Sequence, residues 1–404
     1  MIIRQANSGD ADAIAGLLSK SFLEDTSVIR VSIESNPRYT LSDMYVAEEK
    51  AGGVLGCLRI TPFEVCSLGV RMPMAGIAAV AVQPEARRGG IAETLMQDAL
   101  KRMYEMDYPI SMLFPFKHHF YKKFGYAYVG NTFSYEFSPN NISPFAERSH
   151  VRPFVKSDRS KVKRVLQQYI ERHGRFTPMR NDNFWDLVVL PKFKDAYVYD
   201  DGEIKGYVVY ELYKDSSSEP VINIKEFVGL ESSAHRGLWG FIGALGDQIT
   251  RLKFLAPYDY PVHIFLKEPR EQSFDRLFFE YKSFATLASG FMLRVINIPA
   301  ALKLLNHNFE PQVDFVLKVS DGNLQLNSRV FKVHLHSGET VVEEGREPAQ
   351  FETDIEIFSQ IYSGFLNPLD ALKYGFARGD TAVAAKISEL FRGPSPFIYQ
   401  FDIF

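Results

Sequence analysis

Apolar residues along this chain recur with two periods, alternating and helical, and the switches between them outline its elements. Ile2-Ile3-Arg4 reads as a short strand, after which Ser8 and Asp10 cap a helix carrying Ile14, Leu17, Leu18 and Phe22 on one stripe. Met44 to Ala47, a Gly52-Gly53 turn and Val54 to Ile60 predict a strand pair. Val70 to Ile77 and Ala78 to Val82 predict further strands, and Ile91, Leu95, Ala99 and Met103 then return at helical spacing. Pro109 to Phe114 reads as a buried strand and Phe120 to Phe124 as a short helix stopped by Gly125. Tyr126 to Val129 returns as strand.

Around residue 150 the order starts again. Val151-Arg152-Pro153, Asp158 and the stripe Val162, Val165, Leu166 and Tyr169 echo Ile3-Arg4, Asp10 and the first helix. Ala196-Tyr197-Val198 before Asp201-Gly202 echoes Met44-Tyr45-Val46 before Gly52-Gly53. Pro261 to Phe265 echoes Pro109 to Leu113, and Glu226 to Leu230 followed by His235-Arg236-Gly237-Leu238-Trp239 echoes the run from Val80 to Ile91. The shared order and near-constant offset predict a duplicated fold.

From Phe291 the texture changes. Asp314 to Val319 alternates, Ser320-Asp321-Gly322-Asn323 carries hairpin-turn residues, and Val330 to Leu335 alternates again. Glu352 to Tyr362 and Thr381 to Phe391 read as helices. The last residues, Pro394 to Phe404, are apolar and aromatic, which predicts a tail docked in a pocket rather than a frayed terminus.

A length of 404 residues favours two to three domains. With 46% hydrophobic and 24% charged residues, each can bury a core. A net charge of -3 argues against an electrostatic nucleic-acid binder. No apolar run reaches the roughly 18 residues of a membrane span. No basic stretch leads into an apolar core over residues 1–20, so no signal peptide is expected and the assignment is cytoplasmic. Cys57 and Cys66 read as reduced buried thiols, and Cys/His spacing for zinc is absent, so no metal is expected.

The chemistry concentrates in Val80-Ala81-Val82-Gln83-Pro84-Glu85-Ala86-Arg87-Arg88-Gly89-Gly90-Ile91-Ala92. A strand, a basic glycine loop and a helix start aim free backbone N–H groups outward at the positive end of a helix dipole, a seat for a pyrophosphate. Arg87-x-x-Gly90-x-Ala92 is too tight for a P-loop and one glycine short of the dinucleotide fingerprint. It resembles the coenzyme A loop of the GNAT acetyltransferase superfamily. Phe120-Tyr121-Lys122-Lys123-Phe124-Gly125-Tyr126 is similar to a second GNAT signature, whose first tyrosine, here Tyr121, lies beside the sulfur. A tyrosine suits the acid that protonates a departing thiolate, because it stays protonated at neutral pH. Tyr126 is the other candidate. For a base the chain offers His118, His119, Glu24, Asp25 and the α-carboxylate of Phe404, which an apolar tail would desolvate.

Together with Arg294-Val295-Ile296-Asn297-Ile298-Pro299-Ala300-Ala301-Leu302 and the terminal phenylalanine, these motifs make the whole chain resemble the Eis ("enhanced intracellular survival") acetyltransferases. The resemblance implies an α/β (α+β) chain in three parts. These are a catalytic GNAT domain over 1–146, a degenerate second GNAT domain over 147–290 and a sterol-carrier-protein-like domain over 291–404. It implies an N-acetyltransferase using acetyl-CoA, with Val80 and Val82 on the pantetheine arm and thioester. Arg87, Arg88, Gly90 and Ile91 would cradle the pyrophosphate, Tyr121 would be the general acid, and the Phe404 carboxylate the general base. It also implies a hexamer acting on amines of aminoglycosides, lysine or polyamines, hence a small-molecule acceptor with neither nucleic acid nor membrane as partner. The second copy, with Glu231 and neutral residues in place of the basic pair, would not hold coenzyme A. Ile403 stands where an acidic residue helps bind aminoglycosides in the best-known members, and Phe116-Lys117-His118-His119 is bulkier and more basic than theirs. Both departures weaken the aminoglycoside assignment. Glu24 and Asp25 remain as attraction points for a cationic amine. The direct reaction in a ternary complex is expected because neither cysteine has an activating partner. Two rival readings are a lipid- or peptide-binding module built on residues 291–404 and a protein that binds acetyl-CoA without turnover.

Overall fold

The computed structural model describes residues 1–50, 52–269, 283–305, 312–336 and 338–404. The chain opens with β1 (Ile2–Gln5), α1 (Ala11–Phe22), α2 (Thr26–Ser35), β2 (Met44–Glu48), β3 (Val54–Ser67), β4 (Val70–Val82), α3 (Ile91–Glu105), β5 (Ile110–Leu113), α4 (His118–Lys122), β6 (Ala127–Tyr128) and β7 (Thr132–Phe137). It continues with β8 (Val151–Pro153), α5 (Arg159–His173), β9 (Thr177–Pro178), the single turn α6 (Asp182–Phe184), β10 (Asp195–Asp200), β11 (Ile204–Lys214), β12 (Pro220–Gly229), α7 (Ser232–Gly243), β13 (Arg251–Pro257) and β14 (Ala285–Ala288). The last part holds β15 (Met292–Val295), α8 (Ile298–Lys303), β16 (Val313–Ser320), β17 (Val330–His336), β18 (Glu339–Glu344), β19 (Phe351–Asp354), α9 (Ile355–Tyr362), α10 (Pro368–Lys373), β20 (Ala377–Gly379) and α11 (Thr381–Leu390). These form three sheets, ordered β1-β2-β3-β4-β5-β15-β6 with β9 against β3, then β14-β7-β13-β12-β11-β10-β8, and β18-β17-β16-β19-β20.

The first two sheets repeat one design down to single contacts. Arg4 pairs with Asp10 at 2.7 Å and Glu48 at 2.8 Å, and Arg152 pairs with Asp158 at 2.7 Å and Asp200 at 2.6 Å. Asp10 accepts the Asn7 N–H, as Asp158 accepts that of Val155. Each sheet also needs a glycine where a helix lies close. A Cβ on Gly56 would meet the Ala81 carbonyl, Ile91 and Leu95, and one on Gly206 would meet the Val228 carbonyl, Ala234 and Leu238.

Several elements differ from the sequence reading. Val70 to Val82 is one strand, not two, because a bulge at Ala79 (φ 53°) takes up the irregularity. Pro261 to Phe265 is no strand: Val262–Phe265 forms a 3-10 turn whose Val262 and Phe265 pack inward, and β13 is the counterpart of β5, parallel to its neighbour like it. Asp321 does not sit in an exposed hairpin turn. It is buried, accepts from Asn323 N–H, Leu324 N–H and the Arg294 guanidinium, and organises a longer connection between β16 and β17. Phe351 to Asp354 is strand ahead of α9. Strand pairing also crosses the chain positions 146 and 290: β7 lies in the second sheet beside β13, and β15 lies in the first, between β5 and β6.

That exchange welds the third part to the first. Val65, Met74, Ile110 and Leu293 of the first sheet share one core with Phe315, Phe358 and Ile361. The apolar tail docks as its composition predicts, burying Phe397, Ile398, Tyr399 and Phe401. Asp402 fixes its end. Fully buried, it accepts from Arg180 Nε at 2.9 Å and Nη2 at 2.7 Å and from Arg38, while Arg180 also holds buried Glu226. A buried charge needs such partners.

Candidate active site

The site begins where two strands part. The parallel ladder of β4 with β5 covers only Met74 to Gly76 against Ile110 to Met112. Beyond it, β4 runs on alone on that side through the bulge at Ala79, so the edge at Val80 and Val82 has backbone groups free of a strand. The chain then makes a turn over Pro84–Ala86, passes Arg88 (φ 65°) and Gly90 (φ 77°), and enters α3. No side chain caps this helix. Its first N–H groups therefore lack partners and carry the positive end of a 15-residue dipole. Gly90 is there for its backbone: a Cβ would meet nothing within 4 Å, but the left-handed φ excludes most side chains. Arg87 and Arg88 are exposed beside it and have no ion-pair partner among the described residues. Unpaired N–H donors, two arginines and an open strand edge form a donor set that fits a pyrophosphate followed by an amide-bearing arm.

One cavity of about 1080 Å³ opens beside this loop. Val80, Val82, Arg87, Arg88, Gly90 and Ile91 line it, together with Leu18, Phe22, Tyr39, Arg59 and Phe114. Tyr121 and Phe404 line it as well. α4 is the element that sets Tyr121, whose ring meets Phe116 and Phe120 edge-on at 5.5 and 5.0 Å. Burial, with Tyr126 beside it, pushes its phenol above the ordinary value, so it stays protonated. Its hydroxyl has no hydrogen-bond partner among the described residues. Tyr126 is different: it lies outside the lining, fully buried, with its hydroxyl 2.7 Å from Ser111 Oγ, which donates to the Ala75 carbonyl. Those bonds tie β5 to β4 just where the two strands begin to separate.

Phe404 reaches the cavity because Gly76 leaves it room. A Cβ there would lie 2.7 Å from the Phe404 ring and 2.6 Å from that of Phe63. The Phe404 ring lies 4.6 Å from Phe63, tilted by 43°, and 5.7 Å edge-on from Phe114. Glu24 lines the mouth. Asp25 does not line the cavity: its carboxylate accepts from the Ser27 hydroxyl and from the Ser27 N–H at 2.7 Å, capping α2, and these bonds hold it below the usual carboxylate range. His118 and His119 also lie outside the lining, and His118 instead meets Tyr128 edge-on at 5.5 Å. Cys57 and Cys66 are buried free thiols outside the cavity lining, and burial pushes Cys57 up to about 12. The sequence reading passed over Tyr39 and Arg59. Its available signal was a lone charge inside the apolar run Val54 to Ile60.

The corresponding ground in the second copy is filled. β12 passes into α7 through Leu230 and Glu231 alone, so the loop is deleted and His235 to Trp239 lie within the helix. Phe227, His235, Trp239, Tyr260 and Phe265 stack there at 5.2 to 6.3 Å, with His235 Nδ1 3.0 Å from the Tyr260 hydroxyl. Elsewhere, Asp314, His334 and His336 converge on the outer face of the third sheet, where their donor atoms lie within 4.8 Å and could hold a metal ion. A His-x-His pair on a strand puts both rings on one face, a spacing that a search for zinc-finger ligands passes over.

Comparison with known proteins accords with this anatomy. Residues 2–129 and 178–295 match two models, each of an acetyltransferase (GNAT) domain, and residues 298–399 match a sterol carrier protein domain. The N-acetyltransferase Eis of Mycobacterium tuberculosis is 24% identical over 312 residues, spanning 73% of this chain and 72% of its own. Among solved structures, a GCN5-related N-acetyltransferase from Anabaena variabilis superposes over 100% of both chains with a TM-score of 0.84 at 23% identity. Eis1 from Mycobacterium abscessus does so over 100% of both with 0.78 at 18%. Among the described residues no helix is long and apolar enough to cross a membrane. With two acetyltransferase (GNAT) domains ahead of a sterol carrier protein domain, the chain is an N-acetyltransferase of GNAT type, similar to Eis in sequence, and its acyl donor is acetyl-CoA.

Proposed function

We propose that this cavity moves an acetyl group to a primary amine of a small cationic molecule, such as an aminoglycoside, a polyamine or lysine, by direct attack in a ternary complex. The observation carrying this reading is that Tyr121 and Phe404 line the same cavity as the Arg87–Ile91 loop. In it, Arg87, Arg88 and the first N–H groups of α3 hold the pyrophosphate of acetyl-CoA. The free edge of β4 at Val80 and Val82 orients the pantetheine arm and donates N–H to the carbonyl as it gains charge. The Phe404 carboxylate takes a proton from the acceptor's ammonium, leaving the neutral amine to form the C–N bond. As the C–S bond breaks, Tyr121 protonates the sulfur, a role its raised proton affinity favours, and the second proton that the nitrogen sheds on becoming an amide restores the phenol. Glu24 at the mouth draws the cation in. A covalent acyl-cysteine is disfavoured, since Cys57 and Cys66 do not line the cavity and Cys57 resists ionisation. The proposed assembly is the hexamer of the family, in the cytoplasm.

The test is thiol release from acetyl-CoA across a panel of aminoglycosides, polyamines and lysine peptides. Tyr121→Phe should lose roughly 100- to 10,000-fold in kcat while still binding acetyl-CoA. Adding one glycine after Phe404 keeps the ring and displaces the carboxylate, and should abolish turnover. Unchanged turnover in either variant removes that residue from the mechanism.

A further inference from the structure

Arg59 stands apart from the other arginines of the interior. Arg38 and Arg180 share Asp402, Arg294 has Asp321, and Arg175 donates to three backbone carbonyls. Arg59 lies half-buried on the cavity wall, with its guanidinium carbon 3.6 Å over the Tyr39 ring and its Nε donating to Thr61 Oγ1 at 2.9 Å. No carboxylate forms an ion pair with it among the described residues; the Tyr39 side chain shares a hydrogen bond with it, and Asp43 acts on its charge only from farther off. Desolvation lowers its proton affinity, yet an arginine remains charged at neutral pH. A partly desolvated cation with no carboxylate in direct contact is costly, and an anion entering the cavity would offset that cost.

Its position says which molecule brings that anion. Arg59, Thr61 and Phe63 share one face of β3, opposite Ala78, Gly76 and Met74 of β4. Gly76 and Phe63 are the residues against the Phe404 ring. Arg59 therefore stands about 7 Å along the strand from Thr61, which faces Gly76, and about 14 Å from Phe63, the two positions that flank the Phe404 ring. Ser21 Oγ, also on this wall, is buried without a partner, a further polar group awaiting a ligand. Glu24 supplies the opposite charge at the mouth.

We infer that the acceptor is zwitterionic: an amine that also bears a carboxylate, as a free amino acid does, with the carboxylate on Arg59 and the amine toward Phe404 and Tyr121. The planar fork of an arginine matches a carboxylate with two parallel N–H···O bonds. This inference rests on the acetyl-transfer reading and narrows the cationic class to its lysine-like members.

The experiment compares lysine with lysinamide, and β-alanine with its amide, as acceptors for the full-length enzyme. Each acid should exceed its amide by at least roughly tenfold in kcat/KM. Arg59→Gln should erase that preference through KM while leaving the KM for acetyl-CoA unchanged, and Arg59→Lys should restore part of it. Equal use of acid and amide by the wild type overturns the inference, as does an equal loss for both in Arg59→Gln. Calorimetric titration of N-acetyl-lysine against N-acetyl-lysinamide, with coenzyme A present, reads the site without turnover. Binding of the acid alone, lost in Arg59→Gln, supports the inference even where no amine is acetylated, in which case only the transfer reading falls. Equal binding of acid and amide overturns it.

Discussion

Replacing Asp402 with asparagine tests the link between the tail and catalysis. The carboxylate is fully buried between Arg180, which donates at 2.9 and 2.7 Å, and Arg38. Arg180 keeps Glu226 after the change, but Arg38 loses the only carboxylate it pairs with among the described residues. Removing one partner of a buried pair costs about 3–5 kcal/mol. Burial of Phe397, Ile398, Tyr399 and Phe401 holds the tail upstream, at about 1.5–3 kcal/mol per side chain. The expected result is a local release of the last few residues rather than unfolding. At about 3 kcal/mol, the docked fraction of Phe404 falls roughly a hundredfold relative to the undocked one. Steady-state turnover should drop by an order of magnitude or more, with the KM for acetyl-CoA within about twofold of wild type, and carboxypeptidase should trim the variant but not the parent. A variant that is trimmed yet turns over at the parental rate would refute the argument. So would a tail that stays fully protected.

Three further outcomes follow from the same contacts. Gly76→Ala inserts a methyl group 2.7 Å from the Phe404 ring, an overpacking of about 1–3 kcal/mol that should lower kcat while a fluorescent coenzyme A analogue binds as before. Because burial raises the Tyr121 phenol above its ordinary value near 10, the group stays protonated at lower pH. The pH–rate profile should then show no descending limb from it below about pH 10. Cys57, pushed up to about 12, should resist alkylation by iodoacetamide at pH 8 in the native enzyme and react only after denaturation, as followed by mass spectrometry.

Much of the site was legible in the sequence because local chemistry carries it. Arg87 to Ile91 announce a helix start that needs no distant partner to be recognised, and the apolar ending at Phe404 forecasts its own burial. Only the resemblance set Tyr121 ahead of Tyr126 in the sequence. Five residues apart, one lies on α4 and lines the cavity, while the other follows the helix and bonds Ser111. Asp25 looked like a substrate anchor because a cap and a ligand use the same carboxylate. Strand exchange was invisible for another reason: Met292 to Val295 is simply an apolar run, and nothing in it names β5 as its neighbour across some 180 residues. Pro261 to Phe265 misled through composition, since an apolar pentapeptide serves a packed turn as well as a strand.

The placement of β15 between β5 and β6 has a consequence for the newborn protein. On the ribosome, β5 and β6 emerge long before the strand that separates them. At typical synthesis rates the interval from Tyr128 to Met292 is roughly 10–30 s. During that time the first sheet exposes a gap in which β6 has no neighbour, while the second domain can finish around its own aromatic centre. The sheet begun first is thus completed only after the whole second sheet has been made, with the third sheet still to follow.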